Sequence, residues 1–472
     1  MMQYAFLSAY FLAAFIFPLA FIATVWGAFH ITDQRSKKVF WVGLILILGL
    51  LPILTDLRTP RGEFVDGVLR DVWVPPGIVR FLALWSTRGL TYLVLAFSLI
   101  VIVKAVYSKT IEKRSGGWLF AAYLTLAIPA FISSVAGTQP VFIHFLFYAP
   151  LIFTLTYLQQ PTSDWRWYVE QFKRVLLVYI VLSAVFGLAA PSWTTGSALV
   201  LIPGLDFRLN GVFAHSNSLG MAALVYLVLD MAATGKRGLL GKVSWLISVS
   251  VLVVTQSKTA WAGAILAYVV FYAYKILTLR LSGSTQGLFP VFMSVLILLV
   301  GAAGLLLVAG PMLDSLTRSL DTQTYKSLTS FTGRTNLWEI TVQSWKDNPL
   351  FGYGPALWDV EYRLKYAPQY LYVAGMAHNQ FFQTLGESGI LGVAGLFFYV
   401  IVLLRFGVRY FFETRGMSLA LVLIFLVRAI SETPFRNQTL DLMFFVHFAL
   451  FVILLSLAVN EKKRQLLVTY NK

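Results

Sequence analysis

Apolar residues run along this chain in long unbroken blocks, not in the spaced stripes of a soluble helix or the alternation of a half-buried strand. Tyr4 to Phe29 and Val79 to Val103 are two such blocks. A hydrocarbon layer about 30 Å thick needs roughly 20 helical residues to cross it, so blocks of this length predict membrane-spanning helices. Barrel strands would need short alternating segments instead. Polar and Gly/Pro-rich breaks divide the chain into spans at approximately 4–29, 39–54, 79–103, 118–135, 141–157, 175–190, 217–233, 242–256, 259–277, 289–310, 380–404, 417–430 and 438–459. The expected fold class is all-α, a polytopic transmembrane helical bundle of about 12–13 spans with one large external loop. The first block has neither a basic start nor a small-residue cleavage site, and it reads as a span, not a signal peptide.

Composition agrees with a lipid environment. Hydrophobic residues make up 58% of the 472 and charged residues only 12%, far from the balance of a soluble domain. The chain contains no cysteine, which excludes disulfides, thiolate metal sites and a cysteine nucleophile. A net charge of +16 would suggest nucleic acid, but its distribution argues otherwise. Alternate loops, from the one holding Arg35, Lys37 and Lys38 to the tail holding Lys462, Lys463 and Arg464, carry 22 Lys and Arg against seven acids. By the positive-inside rule those loops are cytoplasmic. The basic charge therefore reports topology and contact with membrane lipids, and no nucleic-acid partner is expected.

That orientation places residues 55–78, residues 191–216, the turn around Lys258 and the long stretch 311–379 on the outer face. Within the last, Gly333 to Trp345 reads as a helix stopped by Asn348-Pro349. An irregular Gly, Pro and Tyr-rich piece then runs from Phe351 to Tyr372. Loops of this length are more often functional than idle. The chain divides into N-terminal helices (1–204), a region containing the long loop (205–405), and C-terminal helices with a tail (406–472).

Cations recur at the outer membrane entrances: Arg208, Lys258, Arg334 and Arg436, with the imidazoles His215 and His378. Such a ring suits a phosphate or diphosphate at the lipid surface; equally, these residues suit lipid headgroups. His378 directly precedes an apolar helix, where the helix dipole favours neutral imidazole, the form that acts as a general base. It also suits a capping role. Glu387 and Glu432 lie near entrances and could orient a base or a sugar, or be solvated at the interface. The aromatics Trp338, Trp345, Tyr353, Trp358, Tyr362, Tyr366, Tyr370 and Tyr372 suit sugar stacking or an interfacial belt. There is no Asp-x-Asp pair and no phosphate-binding glycine motif, so neither a metal nor any other cofactor is expected.

Several of these segments together resemble the O-antigen ligase and Wzy-type polysaccharide polymerase superfamily of bacterial envelope glycosyltransferases. His378-Asn379 followed by Gly389-Ile390-Leu391-Gly392 is similar to its His-Asn motif and the helix start behind it. Gly333-Arg334-Thr335 through Trp338, and Asn348 through Gly354, resemble its external loop. Arg208 through Asn217 resembles its Arg…Gly-Phe…His-x-Asn segment. Ser257-Lys258-Thr259 resembles its Ser-Arg-Thr turn, with Lys in place of the usual Arg. The resemblance covers residues 205–405, making that the catalytic region.

It implies a metal-independent, inverting transfer of an undecaprenyl-diphosphate-linked glycan to a sugar hydroxyl, at the periplasmic face of the inner membrane. His378 would be the base. Arg208, His215, Lys258, Arg334, Asn379 and Arg436 would bind diphosphate or sugar. The acceptor is another glycan in a polymerase and lipid A core in a ligase, and other polysaccharide assembly proteins are implied as partners. The segment Ser431 to Asn437 looks more like exopolysaccharide polymerases. A transporter of lipid-linked oligosaccharides is the alternative of another class, for which Arg80, Arg88 and Arg428, within or near spans, are the supporting residues.

Overall fold

The computed structural model describes residues 19, 21–26, 34–57, 61–65, 68–73, 77–107, 114–141, 144–197, 202, 205, 207–233, 237–280, 332–367, 374–436 and 439–470. Most of the expected first span, the span at 289–310 and loop residues 311–331 lie outside these. Among the described residues seven helices are long and apolar enough to cross a membrane. They are α1 (Gln34–Leu57), α2 (Gly77–Tyr107), α3 (Gly117–Ala136), α5 (Trp165–Ala189), α8 (Lys258–Arg280), α11 (Gln380–Arg409) and α13 (Leu442–Tyr470). Four shorter apolar helices accompany them: α4 (Tyr148–Gln159), α6 (Ser216–Met231), α7 (Leu239–Val254) and α12 (Met417–Ser431). The chain is a multi-pass, all-α membrane protein. Each of the other eleven predicted spans falls on one of these helices.

The differences have local causes. Helix α5 starts ten residues before the expected boundary at 175, because its first turns bury Trp165, Tyr168 and Phe172 while Lys173 pairs with Glu170 and Asp230. Polar residues here belong to an amphipathic helix start and not to a loop. Asp164 caps this start, accepting a hydrogen bond from Trp167 N at 3.3 Å. The loops at 55–78 and 191–216, left without structure by the sequence reading, each contain an antiparallel pair. β1 (Arg61–Val65) runs against β2 (Val68–Trp73), and β3 (Thr195–Ser197) against β4 (Phe207–Leu209), with Gly196 opposite Arg208.

In the long loop, α9 (Thr332–Lys346) matches the predicted helix. The piece expected to be irregular contains a further helix, α10 (Val360–Tyr366), capped by Asp359, which accepts from Tyr362 N at 2.7 Å. The loop aromatics pack mainly on one another. Tyr353, Trp358 and Tyr362 are buried in a cluster of their own; Trp358 Nε1 donates to Thr341 Oγ1 and Tyr362 Oη bonds Ser344 Oγ. Tyr370 and Tyr372 lie outside the described residues.

Helix α13 is the centre of the bundle. Between Phe444 and Leu457 it is buried throughout and apolar except for His447 and Ser456, packing on α1, α4, α5, α6 and α12. His447 on this helix shares a hydrogen bond with Tyr399 Oη at 2.6 Å.

The loop is joined to the bundle at an interruption in α11. Gly389 has φ 62° and ψ −158°, a conformation open essentially to glycine alone. The carbonyls of Gly386 and Glu387 accept from Tyr353 N and Gly354 N, while Ile390 N donates to Pro349 O. On the other side of the same loop segment, Thr138 N and Gln139 N, just past α3, donate to the carbonyls of Gly352 and Tyr353. Backbone groups released by the break are thus paired again with the loop.

Candidate functional site

The ends of α1, α6, α9, α11, α12 and α13 converge on a cavity of about 480 Å³. Its polar lining includes Asp56, His215, Asn217, Arg334, His378, Arg428, Glu432, Arg436 and Asp441. Four of the seven residues singled out from the sequence are therefore brought together: His215, Arg334, His378 and Arg436. Asn379, Arg208 and Lys258 flank the cavity without lining it.

His378 precedes α11 in a left-handed conformation, φ 49°. Both sides of the preceding residue are held: Ala377 N donates to Gln383 Oε1 at 2.6 Å, and Ala377 O accepts from Trp338 Nε1 at 3.0 Å. Trp338 in turn stacks on Phe382, with ring centroids 4.8 Å apart. Asn379 is the helix cap, accepting from Phe382 N at 3.2 Å and donating to Ile430 O at 3.0 Å. Its side chain serves the backbone of α11 and α12. His378 is thereby presented to the cavity by fixed neighbours.

The Nδ1 of His378 lies 3.0 Å from Glu432 Oε2. Glu432 closes the C-terminal end of α12 and is only 12% exposed. Its other oxygen, Oε1, accepts from Asn217 Nδ2 at 3.4 Å and faces Arg428 at 3.8 Å. Burial alone would push this carboxyl up. Arg428, the hydrogen bond and charge of His378, and the charge of Arg334 outweigh it and bring the group down to about 2. Glu432 is therefore a carboxylate at neutral pH, and a carboxylate only accepts. His378 Nδ1 must carry the hydrogen, leaving the Nε2 lone pair to take a proton.

Asn217 is the junction of the site. Its Oδ1 accepts from Arg208 Nη2 and from Ser257 Oγ, both at 3.1 Å, while its Nδ2 reaches Glu432. Gly220, one turn along α6, allows this approach: a Cβ there would sit 2.9 Å from Ser257 Cβ. Arg208 also donates from Nε to Thr255 O at 3.1 Å, and burial pulls it below the usual guanidinium range. Gln256 ties down the chain leading to Arg208, donating to Leu205 O and Phe207 O. Lys258, exposed at the first position of α8, feels the positive charges of Arg208 and Arg334.

Arg436 lines the cavity, yet its three guanidinium nitrogens donate to protein: Nε to Glu387 Oε1 at 2.9 Å, Nη1 to Gly375 O at 2.8 Å and Nη2 to Leu357 O at 3.3 Å. Glu387 Oε1 also accepts from Gln383 Nε2 at 2.8 Å. Arg436 is thus connected through Glu387 and Gln383 to the residue before His378. At the opposite wall, Asp56 accepts from Ala214 N, and Asp441 accepts from Phe444 N and Thr439 Oγ1. Desolvation pushes the Asp441 carboxyl up. Among the described residues no three His, Asp or Glu side chains converge as a metal-holding group.

Sequence reasoning did not single out Asn217 or Arg428 for the site. The signal for Arg428 is visible in retrospect: a basic residue inside an apolar block, four positions before Glu432, the spacing that pairs charges on one helix face. Of the intramembrane arginines counted for a transporter, Arg80 and Arg88 are exposed on α2, whereas Arg428 is buried and faces this cavity.

A family model described as O-Antigen ligase matches residues 243–397. The match contains Lys258, Arg334, His378 and Asn379; Arg208, Asn217, Arg428, Glu432 and Arg436 fall outside it. No curated protein matches the chain. The expected resemblance to the O-antigen ligase and Wzy-type family is met, and with it a membrane function of the polysaccharide ligase or polymerase type.

Proposed function

We propose that the chain is a glycosyltransferase that polymerises undecaprenyl-diphosphate-linked oligosaccharide repeat units into exopolysaccharide or O-antigen on the periplasmic face of the inner membrane. The observation that carries this reading is the His378–Glu432 pair at a cavity walled by Arg334 and Arg428, with Arg208 joined to it through Asn217. The acceptor hydroxyl loses its proton to His378 Nε2 as its oxygen attacks the anomeric carbon. The bond from that carbon to the diphosphate oxygen breaks, and the diphosphate leaves with the electron pair. Attack opposite the leaving group inverts the anomeric configuration.

Glu432 stabilises the imidazolium formed in this step, and the neighbouring cations stabilise the charge on the departing diphosphate. Arg334 supplies a planar fork of donors and Lys258 a point charge. With base and cations both supplied by side chains, the chemistry needs no metal.

The likeness of Ser431 to Asn437 to exopolysaccharide polymerases supports polymerisation. The description of the matched family favours a second reading, ligation of the glycan to lipid A core. The deciding experiment is transfer by purified protein in liposomes. It uses native lipid-diphosphate-linked repeat units with and without lipid A core, in EDTA, and compares wild type with His378→Ala. EDTA-resistant chain growth without core, lost in the variant, is expected. Transfer only onto core would make the protein a ligase, and absence of any glycosidic product from a native donor would overturn the enzyme reading.

A further inference from the structure

Arg428 is a charged side chain in the last turn of an apolar helix, 6% exposed, and its Nε is buried with no hydrogen-bond partner. Such a residue is expensive to bury and needs a reason. Leu or Met would fill the same position at lower cost if packing were the only requirement.

Its surroundings supply the reason. Nη1 donates to Thr259 Oγ1 at 2.9 Å on α8, which fixes the guanidinium from the side away from α12. Nη2 lies 3.8 Å from Glu432 Oε1, one turn along the same helix. Glu432 has four neighbours that bear on its charge: Arg428 from α12, His378 from the entrance of α11, Asn217 from α6 and Arg334 from α9. Arg428 itself is faced by Asp441 ahead of α13 and by Arg334. Of these groups, Arg428 is the cation whose charge acts most strongly on Glu432.

We propose that Arg428 is a positioning residue for the base: anchored by Thr259, it fixes the Glu432 carboxylate against His378 Nδ1 and so keeps Nε2 free of hydrogen and directed to the acceptor. This inference rests on His378 being the base. Arg428 need not touch the substrate to perform it.

The consequence is a pH dependence with a definite sign. The active form of the pair is Glu432 carboxylate with neutral His378, and the form with one more proton is inactive, wherever that proton resides. Arg428 lies close enough to repel the extra proton. Removing its positive charge stabilises the protonated pair and moves the pair's macroscopic titration to higher pH. The acid limb of the rate profile must follow it.

The test is the pH profile of kcat and of kcat/KM for purified wild type, Arg428→Gln and Arg428→Lys, with a native lipid-diphosphate-linked donor. Elution as a single species and retained thermal unfolding confirm folding. For Arg428→Gln the acid limb is expected to move up by about one pH unit or more. Activity is then about tenfold down on that limb and converges toward wild type at alkaline pH. Arg428→Lys, which keeps the charge but not the fork, is expected to return most of the shift. An unshifted limb with raised KM in both variants would overturn the proposal and make Arg428 a substrate contact. A uniform loss at every pH in both variants would overturn it in favour of a packing role. Should Arg428→Gln fail to fold, a wild-type profile from Arg428→Met paired with Thr259→Val would refute it equally. If His378→Ala proves as active as wild type, it is the base assignment that fails, a result separable from all of these.

Discussion

Replacing Glu432 by Gln tests the heart of the site, because the two oxygens of this carboxylate meet different company. Oε1 faces two donors, Asn217 Nδ2 at 3.4 Å and Arg428 at 3.8 Å, whereas Oε2 faces His378 Nδ1 at 3.0 Å. A glutamine has one acceptor oxygen and one donor nitrogen. The two donors select the oxygen for the Oε1 position, so the amide nitrogen falls on His378. Nδ1 must then accept, the hydrogen moves to Nε2, and the lone pair proposed to take the acceptor proton is gone. The shape of the site survives while its tautomer inverts. Tautomer inversion of this kind reduces kcat by roughly 10³–10⁴-fold, or about 4–5.5 kcal/mol of barrier at 1.36 kcal/mol per tenfold. The assay is initial-rate glycan transfer by wild type, Glu432→Gln, His378→Ala and the double variant. The two residues act as a unit, so the double variant should be no slower than His378→Ala alone. Near-normal turnover of Glu432→Gln, or a double variant whose loss is the product of the single losses, would refute the reasoning.

Three further outcomes follow from other parts of the structure. Arg436→Ala strips a cation from Glu387, whose side chain is 11% exposed; breaking such a pair costs about 3–5 kcal/mol. Thermal unfolding in detergent should show a large drop that the paired change Arg436→Met with Glu387→Gln partly restores. Gly389→Ala places a Cβ 2.4 Å from Leu350 O at a φ of 62°, adding about 1–3 kcal/mol of backbone strain to the overlap. Limited proteolysis should then cut near 348–354, and an uncut, fully stable variant would show that the helix break is not occupied as described. Glu432, brought from 4.5 to about 2 on folding, adds stability that is complete above pH 4.5 and is lost as pH falls toward 2. The fall in melting temperature across that window should be shallower in Glu432→Gln, and parallel curves would contradict the assignment.

Much of the bundle was legible because membrane burial needs only length and apolarity, and both are local properties. The start of α5 is not legible in the sequence, because Trp, Tyr and Phe between charged residues look like a loop, whereas Tyr168 and Phe172 pack inward. His378 was legible as a polar residue poised before an apolar block. Glu432 is legible as an acid near a membrane entrance but its partner is not, since His378 lies 54 positions away and only packing brings them together. The protein partners of Arg436 are not legible in the sequence. A cation at a membrane entrance looks the same in sequence whether it faces a ligand or, as here, a carboxylate and two carbonyls. Asn217 carries no charge to draw attention, yet three side chains meet on it.

The interruption of α11 at Gly389 also dictates an order of assembly. During synthesis α3 is made first, the loop segment 348–354 second, and α11, with the Gly386 and Glu387 carbonyls that receive that segment, third. The loop can pair with the end of α3 as it emerges, but its docking is complete only when the helix behind it has entered the membrane. Glu432 and Arg428 arrive later still. A ribosome halted between residues 410 and 431 leaves a chain with most of its helices and with His378 but not Glu432, so the pair is completed among the last steps of the protein's own biogenesis.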